Sequence, residues 1–238
     1  MSLARNGYVL IEQLFSAEIL DNLKAAFADA VAARSERGGE MFGARNILNI
    51  PQVRAIAESS VLPLVDGMRA VRGIFFDKTP AANWPVAWHQ DLTLALAMRH
   101  DREGWTNWTV KRGVTHVQAP PDVMARMVTM RLHLDDCPED NGPLRVIPRS
   151  HADGILGRAE ITARTKSDET IITARAGDAL FMCPLLLHAS SPANKPAHRR
   201  VLHLEFAPPD LLPEDLDWAF PPQMKRPAIT RGPFAGMS

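Results

Sequence analysis

The strongest constraint on the fold is a change of periodicity near Val71. Before that point, apolar residues recur every three or four positions. Ile19, Leu23, Phe27 and Ala30 or Val31 follow Ser16, a residue suited to cap free amides, so residues 16–34 read as an amphipathic helix. Pro51 suits a first helical turn, and Val53, Ile56, Ala57, Leu64, Val65 and Met68 continue helical spacing with a break near Pro63. From Val71 onward the pattern is one of short extended runs: 71–77, 87–94, 128–135, 144–147, 170–174, 178–187 and 201–206. Several end at Gly or Pro signals such as Asn141-Gly142-Pro143 and Ala176-Gly177-Asp178. Helices followed by many strands predict a mainly β architecture with flanking helices, an antiparallel sandwich or barrel rather than an alternating α/β sheet.

A single unit over residues 1–238 is expected, with 1–70 as mostly helical support, 71–207 as the core and 208–238 as an arm holding seven of the nineteen prolines. Residues 93–118 show no sustained period and read as a loop or lid. The charges balance, 27 basic against 27 acidic side chains, which argues against a nucleic-acid or acidic-membrane partner. The longest apolar run, 179–187, contains Pro184 and is far short of the roughly 20 residues that a membrane span needs. Residues 1–15 lack the pattern of a secretory signal, so a cytoplasmic location is expected. Two cysteines, Cys137 and Cys183, are too few for a disulfide framework.

Common nucleotide-binding and serine-hydrolase signatures are missing, which leaves the histidines. On a strand, residues two apart share a face, so a His-x-Asp or His-x-Glu pair can aim an imidazole and a carboxylate at one cation. The chain has three such pairs: His89/Asp91, His133/Asp135 and His203/Glu205. About one is expected by chance from this composition, so spacing alone does not select among them. An apolar strand delivers His188 and Ser190, and a hairpin return is expected to bring Arg199 beside them, where a guanidinium could hold the far carboxylate of a metal-chelating cosubstrate. Either His89/Asp91 or His133/Asp135 could complete a site with His188.

Trp88-His89-Gln90-Asp91, the stretch from Asp135 through Asn141-Gly142-Pro143 to Pro148-Arg149-Ser150-His151, and Gly177-Asp178 leading to His188-Ala189-Ser190 and Arg199 resemble the phytanoyl-CoA dioxygenase family. The resemblance implies a double-stranded β-helix, or jelly roll, and an enzyme that uses iron(II), 2-oxoglutarate and dioxygen. It implies that His89, Asp91 and His188 hold the metal, and that His133, Asp135, His203 and Glu205 do not. Arg199 would bind the distal carboxylate of 2-oxoglutarate, with Ser190 and Arg131 lining the same pocket. An intact Asp91 favours hydroxylation over halogenation. Arg149 stands where many relatives have Gly, which suggests a local change of turn. Arg99, Arg102, Lys111 and Arg112 suggest a small, anionic substrate. The competing readings are a noncatalytic jelly-roll binding protein and a zinc hydrolase using the same ligands.

Overall fold

A computed structural model describes residues 3–35, 43–111, 113–166 and 169–220. Its strands are β1 (Tyr8–Ile11), β2 (Gly43–Arg45), β3 (Arg69–Lys78), β4 (Val86–His89), β5 (Thr93–Leu96), β6 (Thr106–Lys111), β7 (Val114–Gln118), β8 (Val128–His133), β9 (Leu144–Val146), β10 (Thr170–Ile172), β11 (Ala179–Met182), β12 (His188–Ser190) and β13 (Arg199–Ala207). A six-stranded antiparallel sheet runs β1-β11-β8-β13-β3-β2, a four-stranded sheet runs β10-β9-β12-β4, and β5-β7-β6 form a third. The two larger sheets face each other. Lys78 of one reaches Ser190 of the other at 3.0 Å, and Leu180 and Met182 pack with Leu144, Val146 and Ile172 across the interior. This is the double-stranded β-helix that the resemblance implies.

Alternation along the strands assigns the two faces of the large sheet different work. On β13, Leu202, Leu204 and Phe206 turn outward and join Met130 and Leu132 of β8 and Phe75 of β3 in the main core. The helix Ala17–Ser35 covers that face through Leu20, Leu23 and Phe27, with Ile19 at its margin. The Phe27 and Phe75 rings stack with centroids 4.1 Å apart. Burying each such side chain stabilises by about 1.5–3 kcal/mol. The side chains of Ala30 and Val31 lie outside the described residues. The opposite face of the same strands carries Arg199, Val201, His203 and Glu205, in register with Lys78, Phe76, Ile74 and Arg72 of β3. The largest buried apolar cluster thus lies between sheet and helices, and the part of the barrel interior lined by β3 and β13 is rich in polar side chains.

Several expectations need correction. The 93–118 segment is not a loop: it forms β5, β6 and β7. Its period is hidden because β6 has one partly buried residue, Trp108, among five exposed ones, Asn107 takes a positive φ of 54°, and the register shifts between Thr106 and Thr109. The 87–94 run divides at Gln90 into strands of different sheets, and the 178–187 run stops at Met182 ahead of Pro184. No hairpin joins His188 to Arg199: β12 pairs with β9 and β4, and β13 with β3 and β8. The N-terminal region supplies β1 and β2 as well as helices. Arg149 keeps a left-handed backbone, φ 69°, so the turn there has the conformation that glycine adopts without strain. After Ala207, Leu211 and Leu216 are buried and Trp218 bridges to Leu96; residues 221–238 lie outside the described residues. Among the described residues, no helix is long and apolar enough to cross a membrane.

Candidate metal centre

His89 ends β4 and His188 begins β12, and antiparallel pairing sets the two opposite each other. Their rings lie 4.1 Å apart between centroids. Each Nδ1 donates a 2.8 Å hydrogen bond to a carbonyl two residues earlier, Ala87 for His89 and Leu186 for His188. Each imidazole therefore leaves Nε2 as its free lone pair when neutral, the arrangement metal-binding histidines use. Asp91 completes the group, with Oδ1 at 3.8 Å from His89 Nε2 and Oδ2 at 3.7 Å from His188 Nε2. All three ligand atoms lie within 4.8 Å of one another.

Two neighbours hold this geometry. The Asp91 amide donates to Pro184 O at 2.9 Å, which ties the carboxylate strand to the turn before His188. Gln90, buried between the two ligands, donates to Gly154 O and Leu185 O, both at 2.7 Å, and accepts from the Leu156 amide at 2.9 Å. Its whole side-chain amide is thus used to join the β4–β5 break to the β11–β12 turn and to the 154–156 segment.

The three residues fit a divalent cation. Asp91 Oδ2 is buried without a hydrogen-bond donor, a costly state for a carboxylate unless something else occupies it. Burial pushes the Asp91 carboxyl up, but the charges of His188, His203, His89 and Arg131 reverse that and hold it below the usual range. Burial depresses His188 against the pull of Asp91. An ionised carboxylate and a neutral imidazole are the forms a metal requires.

A second cluster sits in the same interior. Lys78, opposite Arg199 in the β3–β13 register, donates to Ser190 Oγ at 3.0 Å. Lys78 is 3% exposed and Arg199 7%. Burial, with the nearby charges of Arg199 and Arg131, pulls the Lys78 ammonium down to about 8, and burial lowers Arg199 as well. Among the described residues, no carboxylate is among the groups acting on either cation, and Arg199 Nε is buried without an acceptor. Buried, uncompensated positive charge is a standing demand for an anion. Arg131 links the clusters: burial and Arg199 lower it to about 10, while Asp91 pulls the other way.

The expected residues therefore gather in one interior, although Arg199 and Ser190 meet through Lys78 rather than across a hairpin. The two other His-x-acid pairs separate from the triad. Asp135 lies past the end of β8 and accepts from Arg200 Nε and Nη2 at 2.8 and 2.7 Å, whereas His133 is buried with neither ring nitrogen bonded. His203 and Glu205 stay inside, bonded to Arg131 and Arg72. Lys78 and Gln90 were not anticipated. A lysine directly after the 71–77 run was the available sign of the first. Arg99 and Arg102 are engaged by Asp101 and Asp215, so the 93–118 segment does not present them as a free anion seat. A cavity of about 630 Å³ near Leu10, Gln13, Cys137 and Arg175 does not include the triad.

A model of the family Phytanoyl-CoA dioxygenase (PhyH) matches residues 3–201. No curated protein matches the chain. Among solved structures, EctD from S. alaskensis, with 2-oxoglutarate and 5-hydroxyectoine, is 17% identical over 87% of this chain and 73% of its own, with a TM-score of 0.65. AviO1 from Streptomyces viridochromogenes Tue57 is 18% identical over 89% and 94%, TM-score 0.64. The carbocyclase SnoK from nogalamycin biosynthesis is 16% identical over 87% and 81%, TM-score 0.63. Those likenesses show the barrel, and the family match extends from its N-terminal helices into β13: the chain belongs to the phytanoyl-CoA dioxygenase family.

Proposed function

We infer that the chain is an iron(II)- and 2-oxoglutarate-dependent dioxygenase that hydroxylates an aliphatic carbon of a small molecule, with succinate and carbon dioxide as coproducts. The observation that carries this reading is the presence, in one barrel interior, of a His89–Asp91–His188 group fit for a metal and of the buried cations Lys78 and Arg199, with no carboxylate among the described residues to balance them. A zinc hydrolase or a bare binding shell has use for the first and none for the second. Two solved relatives support the cosubstrate: EctD carries 2-oxoglutarate, and SnoK is described as α-ketoglutarate dependent.

His89, Asp91 and His188 would hold iron(II) and leave positions open for other donors. The metal, with the keto acid and dioxygen, supplies the oxidant for cleaving a carbon–hydrogen bond. Arg199, Lys78 and Ser190 would seat the distal carboxylate of 2-oxoglutarate, fixing its orientation by charge-assisted hydrogen bonds. Arg131 would line the same pocket. Leu144, Val146, Leu180 and Met182 close the apolar part of the interior and exclude water.

Anaerobic addition of iron(II) and 2-oxoglutarate tests the reading through the visible metal-to-ligand charge-transfer band of the chelate. The band should form in the wild type, require more 2-oxoglutarate in Arg199→Ala and vanish in His188→Ala. Absence of the band in the wild type, or its persistence unchanged in both variants, contradicts the assignment. Succinate release across small carboxylic acids and phosphorylated metabolites then identifies the substrate.

A further inference from the structure

The third His-x-acid pair remains without a role, although all its members are buried. His203 is 3% exposed and Glu205 6%, on the inner face of β13. His203 Nδ1 lies 3.1 Å from Arg131 Nη1. A guanidinium only donates, so Nδ1 must be the acceptor and the ring of neutral His203 carries its proton on Nε2. Nε2 faces Glu205 Oε1 at 3.5 Å. The same Oε1 accepts from Arg72 Nη1 at 3.1 Å, and Arg72 Nη1 is also 3.3 Å from Thr93 O. The polarity of the whole chain is thereby fixed: Arg72 and Glu205 cancel in charge, Glu205 selects the His203 tautomer, and His203 offers a single lone pair to Arg131.

Phe76 braces both ends of that last bond. Its ring meets His203 edge-on, 5.8 Å between centroids at 87°, and the Arg131 guanidinium stands 5.7 Å from the Phe76 centroid. Arg131 is thus held at one Nη while its Nε remains buried and unbonded. Its charge is felt by both Asp91 and Lys78, and it in turn is acted on by Arg199.

We propose that His203 is a positioning residue: with Glu205 and Arg72 behind it, it aims Arg131 at the ligand pocket between the His89–Asp91–His188 group and Arg199. This rests on the 2-oxoglutarate pocket proposed above. Arg131 is a long side chain with many rotamers, and a single fixed acceptor at its tip converts it into a preorganised donor.

The test is anaerobic titration of 2-oxoglutarate into the iron(II)-loaded protein, read as half-saturation and position of the charge-transfer band, in His203→Asn, His203→Gln, Arg131→Met and Arg131→Met/His203→Gln. Asparagine keeps an oxygen near the place of Nδ1, and glutamine keeps a donor near the place of Nε2 but loses that acceptor. His203→Asn should bind within about threefold of the wild type, while His203→Gln should need about tenfold more cosubstrate, the scale of one charge-assisted hydrogen bond. The double variant should match Arg131→Met alone, because His203 acts only through Arg131. Circular dichroism and Tm check that each variant is folded; if His203→Gln fails to fold, His203→Leu, which also lacks the acceptor, with Arg131→Met/His203→Leu supplies the same cycle. Equal behaviour of the asparagine and glutamine variants, or additive losses in the double variant, overturns the proposal. A wild type with no band overturns instead the cosubstrate reading on which it depends.

Discussion

Replacing Lys78 by methionine should make the protein more stable and a poorer binder of 2-oxoglutarate, two effects of opposite sign from one side chain. The drop of Lys78 from the ordinary lysine value of 10.5 to about 8 corresponds to about 3 kcal/mol of unfavourable burial at neutral pH. Against it stand a hydrogen bond to Ser190 Oγ at 3.0 Å, a longer one to Ser191 O at 3.5 Å and the Trp84 ring 5.4 Å from Nζ, together worth about 1–2 kcal/mol. Methionine has nearly the same length and no charge, so Lys78→Met should stabilise the unliganded protein by about 1–2 kcal/mol, or about 2–8 °C in Tm for a chain of this size. Loss of a cation facing the distal carboxylate should weaken 2-oxoglutarate by at least about tenfold. The sign of the pH dependence follows. Because the folded-state value is depressed, the unfolded chain binds the extra proton between about pH 8 and 10.5, and Lys78 makes wild-type stability rise with pH across that window. Cosubstrate affinity should fall as pH passes 8, and Lys78→Met should flatten both trends. Thermal melts with and without 2-oxoglutarate, run from pH 7 to 9, read all of this together. A variant that melts lower without ligand, or that binds 2-oxoglutarate as tightly as the wild type, refutes the claim that Lys78 is a buried cation awaiting an anion.

Three further outcomes follow from the same structure. Burial, with Arg131 and Arg199, pushes His133 down to about 3, so His133 should cost stability as pH falls from 6.5 toward 3, and His133→Leu should soften the acid limb of the denaturation profile. Gln90→Leu strands the Leu156 amide and two carbonyls; it should lower stability by about 2–4 kcal/mol in urea melts and weaken metal binding measured by competition with a chelating dye. Arg149→Gly removes a side chain from a backbone at φ 69° and should raise stability slightly, by up to about 1 kcal/mol in urea melts, with metal affinity unchanged.

The order of elements was readable because two periods, 3.6 and 2, report which face each segment buries. That reading failed where burial did not alternate. Strand β6 is solvent-facing along nearly its whole length, so its residues carry no period, and the 93–118 segment looks structureless until β7 is seen pairing with both neighbours. Within the site, His89, Asp91, His188 and Arg199 could be singled out by resemblance, but spacing alone could not rank three His-x-acid pairs. The barrel separates them by position: β8 ends at His133, which releases Asp135 to Arg200, while His203 and Glu205 remain on a continuous strand inside. Lys78 and Gln90 were missed for a different reason. Their importance lies in what surrounds them, two buried guanidinium neighbours for one and two carbonyls from distant turns for the other, and no local pattern records that.

Crystals grown without oxygen in the presence of iron(II) and 2-oxoglutarate, with the metal located by its anomalous scattering, test the central claim most directly. The account predicts one iron bound by His89 Nε2, His188 Nε2 and Asp91, with the far carboxylate of 2-oxoglutarate on Arg199 and Lys78. Iron at any other residues, or a carboxylate turned away from those two cations, contradicts it.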